Sequence, residues 1–397
     1  MKYDDLTIQK LRELSILEVA DKLGFKLKGL GDEGRKALCP YHDDKHPSLH
    51  FSKKKGIFKC FVCGAKGDLF KLVMDDRNCT FPEACEWLIN EFHVVVIDNC
   101  PADCSATLRS SVEEMKEIKE MSLSENATRS QISAISFISA GPKITSAICP
   151  LPSDIVQRSL SVDSVFCQSV VSAGYLSQGQ IVSAANRYRL GSSKEGGVIF
   201  WEIDAQQQVH TGKIMYYQSD CHRDKQHTPT WVHSLMKSQL PADYELQHCL
   251  FGLHLLCPAE MKEIKEMSPL ENATRSQISA ISAISAGQKI AIVESEKTAV
   301  ILSEIVKDFI WMSCGGLQMF KPELLAPLVN HKVVVFPDTD ETGEAYNAWL
   351  TVLQQAAKLY PFKHPLRISN LLEFHATPEQ KQRKIDIVDF LFEVPQI

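Results

Sequence analysis

The chain has 397 residues, 44% of them hydrophobic and 23% charged, with a formal net charge of -6. That is an ordinary folded composition, long enough for two or three domains; it excludes disorder as the whole answer, and the lack of any run of about 18 apolar residues excludes a membrane-spanning helix. The opening MKYDDLTIQKLREL lacks the basic-then-apolar layout of a secretory signal, so we expect a cytoplasmic protein whose thirteen cysteines are reduced or metal-bound.

In chain order, Leu11, Leu14, Ile16, Val19 and Leu23 recur at helical spacing and predict an amphipathic helix. A Gly-rich turn, a cysteine-bearing β segment and a second helical stretch over 68–92 complete a first block, residues 1–95. Residues 96–149 read as a linker with an insert. Residues 150–259 mix helices with a hairpin, in which GGVIFWEI and VHTGKIMYY flank the polar turn DAQQQ. After a second insert at 260–288, residues 289–397 alternate β-rich runs (KIAIV, FIWMSCGG, KVVVF) with helical patterns (TAVILSEIVKDF, TGEAYNAWLTVLQQAAKL). That alternation predicts a parallel, Rossmann-like α/β sheet, and the whole an α+β multidomain chain.

The inserts are copies of one element. Residues 114–144 and 260–290 agree at 27 of 31 positions, 146 residues apart in unlike surroundings. Solenoids need at least three adjacent units, so this is no solenoid. Near-identity in different contexts predicts peripheral, dispensable segments; a paired docking site is the alternative. Charge is also uneven. Residues 1–72 carry 15 Lys and Arg against 10 Asp and Glu, so the rest holds a surplus of eleven negative charges. A basic module on an acidic body suits contact with a phosphate backbone, or is simply a solvated face.

Cys39, His42, Cys60 and Cys63 follow C-x2-H-x17-C-x2-C, two pairs separated by enough chain for a short sheet. Thiolate and imidazole in a closed set of four suit one structural Zn²⁺ and leave no open position for catalysis. Cys100 and Cys104 read as ordinary free thiols. Lys53, Lys54, Lys55 and Lys59 supply positive charge beside the second pair, and Phe58 and Phe61 could stack bases. Phe51 and Phe58 equally suit the core of a small ribbon, the reading we prefer for Phe51. The stretch CPYHDDKHPSLHFSKKKGIFKCFVCGAKGDLFKLV, continued by TFPEACEWLINEFHV, resembles the zinc-binding domain of bacterial-type DNA primases. The resemblance implies binding of a single-stranded DNA template.

Near the C-terminus, KIAIV is followed by Glu294, and KVVVFP by Asp338-Thr-Asp340. Residues two apart on a strand share a side, so the aspartates are expected to converge on one metal at the strand ends, where open α/β sheets place their sites. Three carboxylates suit Mg²⁺ or Mn²⁺; a bare D-x-D also occurs in solvated loops. AIVESEKTA, WMSCGG and VVVFPDTDETGEAYNAW resemble the catalytic TOPRIM domain of primases and topoisomerases. That resemblance makes Glu294, Asp338 and Asp340 catalytic and metal-binding, with Gly343 the following glycine and Asp386 and Asp389 a further acidic pair. Ser295 and Thr298 depart from it, standing where many members have Gly and Asp. Lys297 could reach a phosphate or be solvated. The hairpin resembles the one before TOPRIM in primase cores, which implies that Lys213, after Gly212, faces a template and nucleotide groove. Arg187, Arg189, Arg223 and Lys225 are candidates for that groove or plain surface charges.

These resemblances imply a primase of mobile-element or plasmid type that makes short RNA primers on single-stranded DNA from ribonucleoside triphosphates. Glu294 would ligate a metal or take the proton of the primer 3′-hydroxyl. A replicative or element-encoded helicase is the implied further partner, although we expect no helicase-binding domain after TOPRIM, and no membrane is involved. The alternatives are a non-catalytic single-stranded DNA-binding protein, whose core an insert has damaged, a TOPRIM nuclease, or a topoisomerase, for which little chain remains.

Overall fold

The computed structural model describes residues 3, 5–29, 33–98, 150–240, 244–256 and 289–393. Cys100, Cys104, the first repeat copy and all but the last two positions of the second lie outside the described residues. Two compact units separate: one takes the described residues up to 98 with 325–334 and 347–370, the other those from 150 to 324 with 335–346 and 371–393.

In the first unit, the helix expected through Leu11 and Leu23 is two, α1 (Asp5–Arg12) and α2 (Ile16–Lys22). Ser15, with extended backbone, takes the N-cap position of the second and breaks the run. Strands β1 (Glu33–Ala37), β2 (Leu49–Ser52), β3 (Ile57–Cys60) and β4 (Lys66–Asp68) form an antiparallel ribbon in that order. The stretch 68–92 also divides, into α3 (Leu69–Arg77) and α4 (Phe81–Glu91). Asn78 turns left-handed at φ 49°, and Thr80 opens α4 with a capping box, its N–H donating to Glu83 Oε2 at 2.8 Å. Leu11, Val19, Leu49, Phe51, Phe58, Phe70, Val73 and Leu88 bury together as the core. Strand β5 (Val96–Asp98) pairs in parallel with Arg367–Ser369.

In the second unit, helices α5 (Asp154–Ser159), α6 (Val165–Ser172) and α7 (Gln178–Arg187) precede an antiparallel sheet. Its strands are β6 (Gly191–Ser192), β7 (Val198–Ile203), β8 (Val209–Met215) and β9 (Thr230–Trp231), in sequence order. The expected hairpin is β7–β8, with Ile199, Trp201, Ile203, Val209 and Ile214 in its core. Strands β10 (Lys289–Val293) and β11 (Phe309–Ser313) run parallel, joined by helix α8 (Glu296–Ile305), as the alternation predicts. Phe336 N–H donates to Ile292 O at 2.8 Å and lays the chain after Val333–Val335 beside β10. Among the described residues no helix is long and apolar enough to cross a membrane.

Candidate functional site

The ribbon brings its four ligands together. Cys39 and Cys60 are buried, His42 is half-buried and Cys63 exposed, and their ligand atoms all lie within 4.8 Å of one another. Cys39 Sγ and Cys63 Sγ are 3.7 Å apart, close to the edge of about 3.8 Å that zinc–sulfur bonds of about 2.3 Å give a tetrahedron. Gly64, at φ +80°, lets the chain turn back so that Cys60 N–H reaches Ala65 O at 2.7 Å. Burial pushes the Cys39 thiol up, to about 12. Burial acts the same way on Cys60, but hydrogen bonds from Ser48 and the N–H groups of Cys63 and Val62 outweigh it and bring that thiol down to about 6. Among the described residues His42 Nδ1 is buried with no hydrogen-bond partner. An orphaned imidazole nitrogen beside three sulfurs fits zinc.

The exposed face of the ribbon is basic in a way the sequence alone hid. Cross-strand pairing aligns Lys36 with His50, His50 with Lys59, and Lys59 with Lys66, one row over all four strands. Lys59 Nζ lies 5.0 Å over the ring of Phe61, which is 66% exposed, and His50 meets that ring edge-on at 4.8 Å. Exposed Lys53, Lys54 and Lys55 sit in the β2–β3 turn, at the other end of β3 from Phe61. Lys59 and Lys66 are like charges directly opposite, which is destabilising on a sheet, while burial and the Lys36 charge lower the pKa of His50, between Lys36 and Lys59. Phe58 is 1% exposed, in the core beside Phe51. That corrects its reading as a stacking platform; among the two, Phe61 alone faces solvent.

In the second unit, Glu294 follows β10, and Asp338 follows the strand Val333–Val335. Asp386 precedes the helix Ile387–Glu393, which carries Asp389. Gly315 N–H donates to Glu294 O at 3.0 Å and Thr339 N–H to Ile385 O at 3.2 Å, which draws these ends together. Burial and the like charges of Asp386, Glu294 and Asp389 push the Asp338 carboxyl well up, against the pull of Lys297. Glu294 is raised by burial, opposed by Leu317 N–H and Lys213. Asp389 is raised by burial and by Asp386. Thr298, in a position where a carboxylate was expected, donates its hydroxyl to Asp386.

Asp340 departs from expectation. The strand ends at Val335, so the two-residue period does not carry through Asp338 and Asp340. Asp340 is 7% exposed and accepts from Thr342 N–H (2.8 Å), Thr342 Oγ1 (2.7 Å), Glu344 N–H (3.1 Å) and Ala345 N–H (2.8 Å). Burial would raise its pKa, but these donors hold it well below the usual carboxylate range. Its oxygens cap the helix Glu344–Leu359 rather than join the repelling group.

The basic candidates are tied down in different ways. Lys213 reaches Glu296 Oε1 and Oε2 at 3.1 and 3.2 Å and Gly315 O at 2.6 Å, with both side chains largely buried. Arg187 pairs with Glu304 at 2.7 Å and reaches Ser303 O at 3.3 Å, bridging α7 to α8. Lys297 is half-buried, 5.9 Å from the Tyr175 ring. Burial lowers its pKa, but Asp386 and Asp389 outweigh that and raise it, which removes the solvated reading. Arg223 and Lys225 are exposed. Sequence reasoning missed Glu296 and the Lys36, His50 and Lys66 row; the lysines were visible, their register was not.

Comparison with known proteins divides the chain in two. Residues 3–102 match the CHC2 zinc finger family. Residues 165–268 and 279–339 match a domain of unknown function (DUF6371). The DNA primase of Clostridium acetobutylicum is 36% identical over 94 residues, 23% of this chain and 15% of that one. The DNA primase of Campylobacter jejuni is 49% identical over 49 residues, 12% of this chain and 8% of that one. The chain thus matches only a small part of those primases' length. A crystal structure of the Aquifex aeolicus primase (zinc-binding and RNA polymerase domains) aligns over 88% of this chain and 77% of that one at 18% identity. Its TM-score is 0.26, too low to establish a shared overall fold. The N-terminal hundred residues are a CHC2 zinc ribbon of the DNA primase kind, followed by a mixed α/β region with a parallel strand pair.

Proposed function

We propose that the protein binds single-stranded DNA through its zinc ribbon and makes short RNA primers from ribonucleoside triphosphates at the acidic site, read as a TOPRIM-like centre. The observation that carries this is a primase-type ribbon with a basic, aromatic-edged face, in one chain with Asp338 crowded by the like charges of Glu294, Asp386 and Asp389. The row Lys36, His50, Lys59 and Lys66 tracks the DNA backbone, and Phe61 offers a base a stacking surface. Glu294 and Asp338, with Asp386 or Asp389 beside them, are the residues that would hold Mg²⁺ or Mn²⁺. Such an ion, when bound, relieves their repulsion and neutralises charge on the nucleotide phosphates. Asp340 serves by fixing the loop that carries Asp338. Glu294, whose pKa burial raises, is alternatively free of the ion and accepts the primer 3′-hydroxyl proton.

The test is incubation with single-stranded DNA, labelled ribonucleotides and Mg²⁺. Wild type is expected to give short RNA products, and Asp338→Ala none, with DNA binding unchanged. A second reading has specific support: Lys213 is locked on Glu296, and Asp340 is filled by its own chain. It holds that the protein binds single-stranded DNA without synthesis. Equal DNA binding with no product from wild type would establish it.

A further inference from the structure

We propose that Asp44 is a positioning residue of the zinc site: it orients His42 so that Nδ1 faces the metal, and it joins the two ligand pairs. Its carboxylate is nearly buried, 7% exposed. Oδ2 accepts from Cys39 N–H at 2.8 Å, Ser48 N–H at 3.2 Å and the Ser48 hydroxyl at 2.6 Å. Oδ1 accepts from His46 N–H at 3.3 Å. Asp44 thus grips the backbone at Cys39, the first ligand, and at His46 and Ser48. Through Ser48, whose Oγ lies 3.3 Å from Cys60 Sγ, it also reaches the second ligand pair.

The imidazole has one nitrogen for the proton and one for the metal. His42 Nε2 is the ring nitrogen nearer the carboxylate, 3.8 Å from Asp44 Oδ1 and beyond direct hydrogen-bond reach, while Nδ1 is buried without a hydrogen-bond partner among the described residues. A negative carboxylate on the Nε2 side favours the proton on that nitrogen and leaves the Nδ1 lone pair for zinc, the same order that hydrogen-bonded carboxylates impose on other zinc-bound histidines. Neighbouring Asp43 is exposed and carries the same charge one residue away, so it separates position from charge. The inference depends on the zinc ribbon and not on primer synthesis.

The experiment uses the full chain. Zinc affinity is measured by competition with a chromogenic chelator, and ligand geometry by the visible absorption of the cobalt-substituted protein. Asp44→Ala is expected to lower zinc affinity about 10–100-fold and to shift the cobalt bands. Asp44→Asn, which keeps the size but loses one acceptor oxygen, is expected to fall between Asp44→Ala and wild type. Asp43→Asn is expected to match wild type. A role in folding alone would lower thermal stability but leave the cobalt spectrum of the loaded protein unmoved. Zinc affinity within about twofold of wild type and an unchanged cobalt spectrum in Asp44→Asn overturn the proposal, even if Asp44→Ala does not fold.

Discussion

At the scale of single residues, the two aspartates of the Asp338-Thr-Asp340 motif are expected to behave in opposite ways. Asp340 is filled by four donors of its own chain, so Asp340→Ala removes a helix cap and is expected to destabilise by about 1–2 kcal/mol, read as a fall in thermal midpoint. Asp338 is surrounded by like charges. Asp338→Asn is therefore expected to raise the thermal midpoint in metal-free buffer and to abolish any further rise on adding Mg²⁺. A fall in midpoint would show instead that the carboxylate is stabilising. His254 gives a pH dependence of known sign. It is fully buried, its Nε2 against Arg187 O at 3.1 Å, and burial with the nearby Arg189 charge holds its pKa down at about 4. The unfolded chain takes up this proton below about 6.5, where the folded one does not. Stability is thus full above 6.5 and falls as pH drops toward 4, by about 3 kcal/mol at the limit. Unfolding curves across that window should show a shallower slope in His254→Gln than in wild type.

Between elements, the Lys213–Glu296 pair ties β8 to the first turn of α8. Breaking one side of a buried pair leaves an uncompensated charge, so Glu296→Gln or Lys213→Met alone is expected to cost about 3–5 kcal/mol. The double variant Lys213→Met/Glu296→Leu is expected to recover much of that in denaturant unfolding; additive losses would show that the two do not act as a pair. This is where sequence reading reached its limit. The zinc ligands were legible because each pair is local and its spacing alone sets the geometry. The β10–α8–β11 alternation was legible because apolar period and length distinguish strand from helix. The break between α3 and α4 was written in Thr80, Pro82 and Glu83, but the apolar period running across it concealed the cap. Asp340 was placed on a strand that ends at Val335. The partners Lys213 and Glu296 are 83 residues apart, and the row Lys36, His50, Lys59 and Lys66 exists only once four strands take their register; no local pattern encodes either.

For the whole molecule, the net charge of -6 opposes nucleic acid, so the DNA binding proposed above has to be concentrated where the sheet gathers lysines. A concentrated site has a defined salt dependence. Each lysine that neutralises a phosphate contributes about 0.7 to the slope of log affinity against log salt on a single strand. Lys59→Glu and Lys66→Glu are each expected to weaken binding to single-stranded DNA of any sequence and to lower that slope by about one contact's worth, whereas Phe61→Ala should weaken binding and leave the slope unchanged. The zinc ribbon and the acidic site lie in separate compact units. Chelating the zinc is therefore expected to abolish DNA binding while Mg²⁺ still raises the thermal midpoint of the remaining fold; Asp338→Asn is expected to do the reverse. The check is a pair of titrations, DNA and Mg²⁺, on zinc-loaded, zinc-stripped and Asp338→Asn protein. If stripping zinc abolishes the Mg²⁺ response as well, the two sites are energetically one, and template and metal binding must be read as a single event.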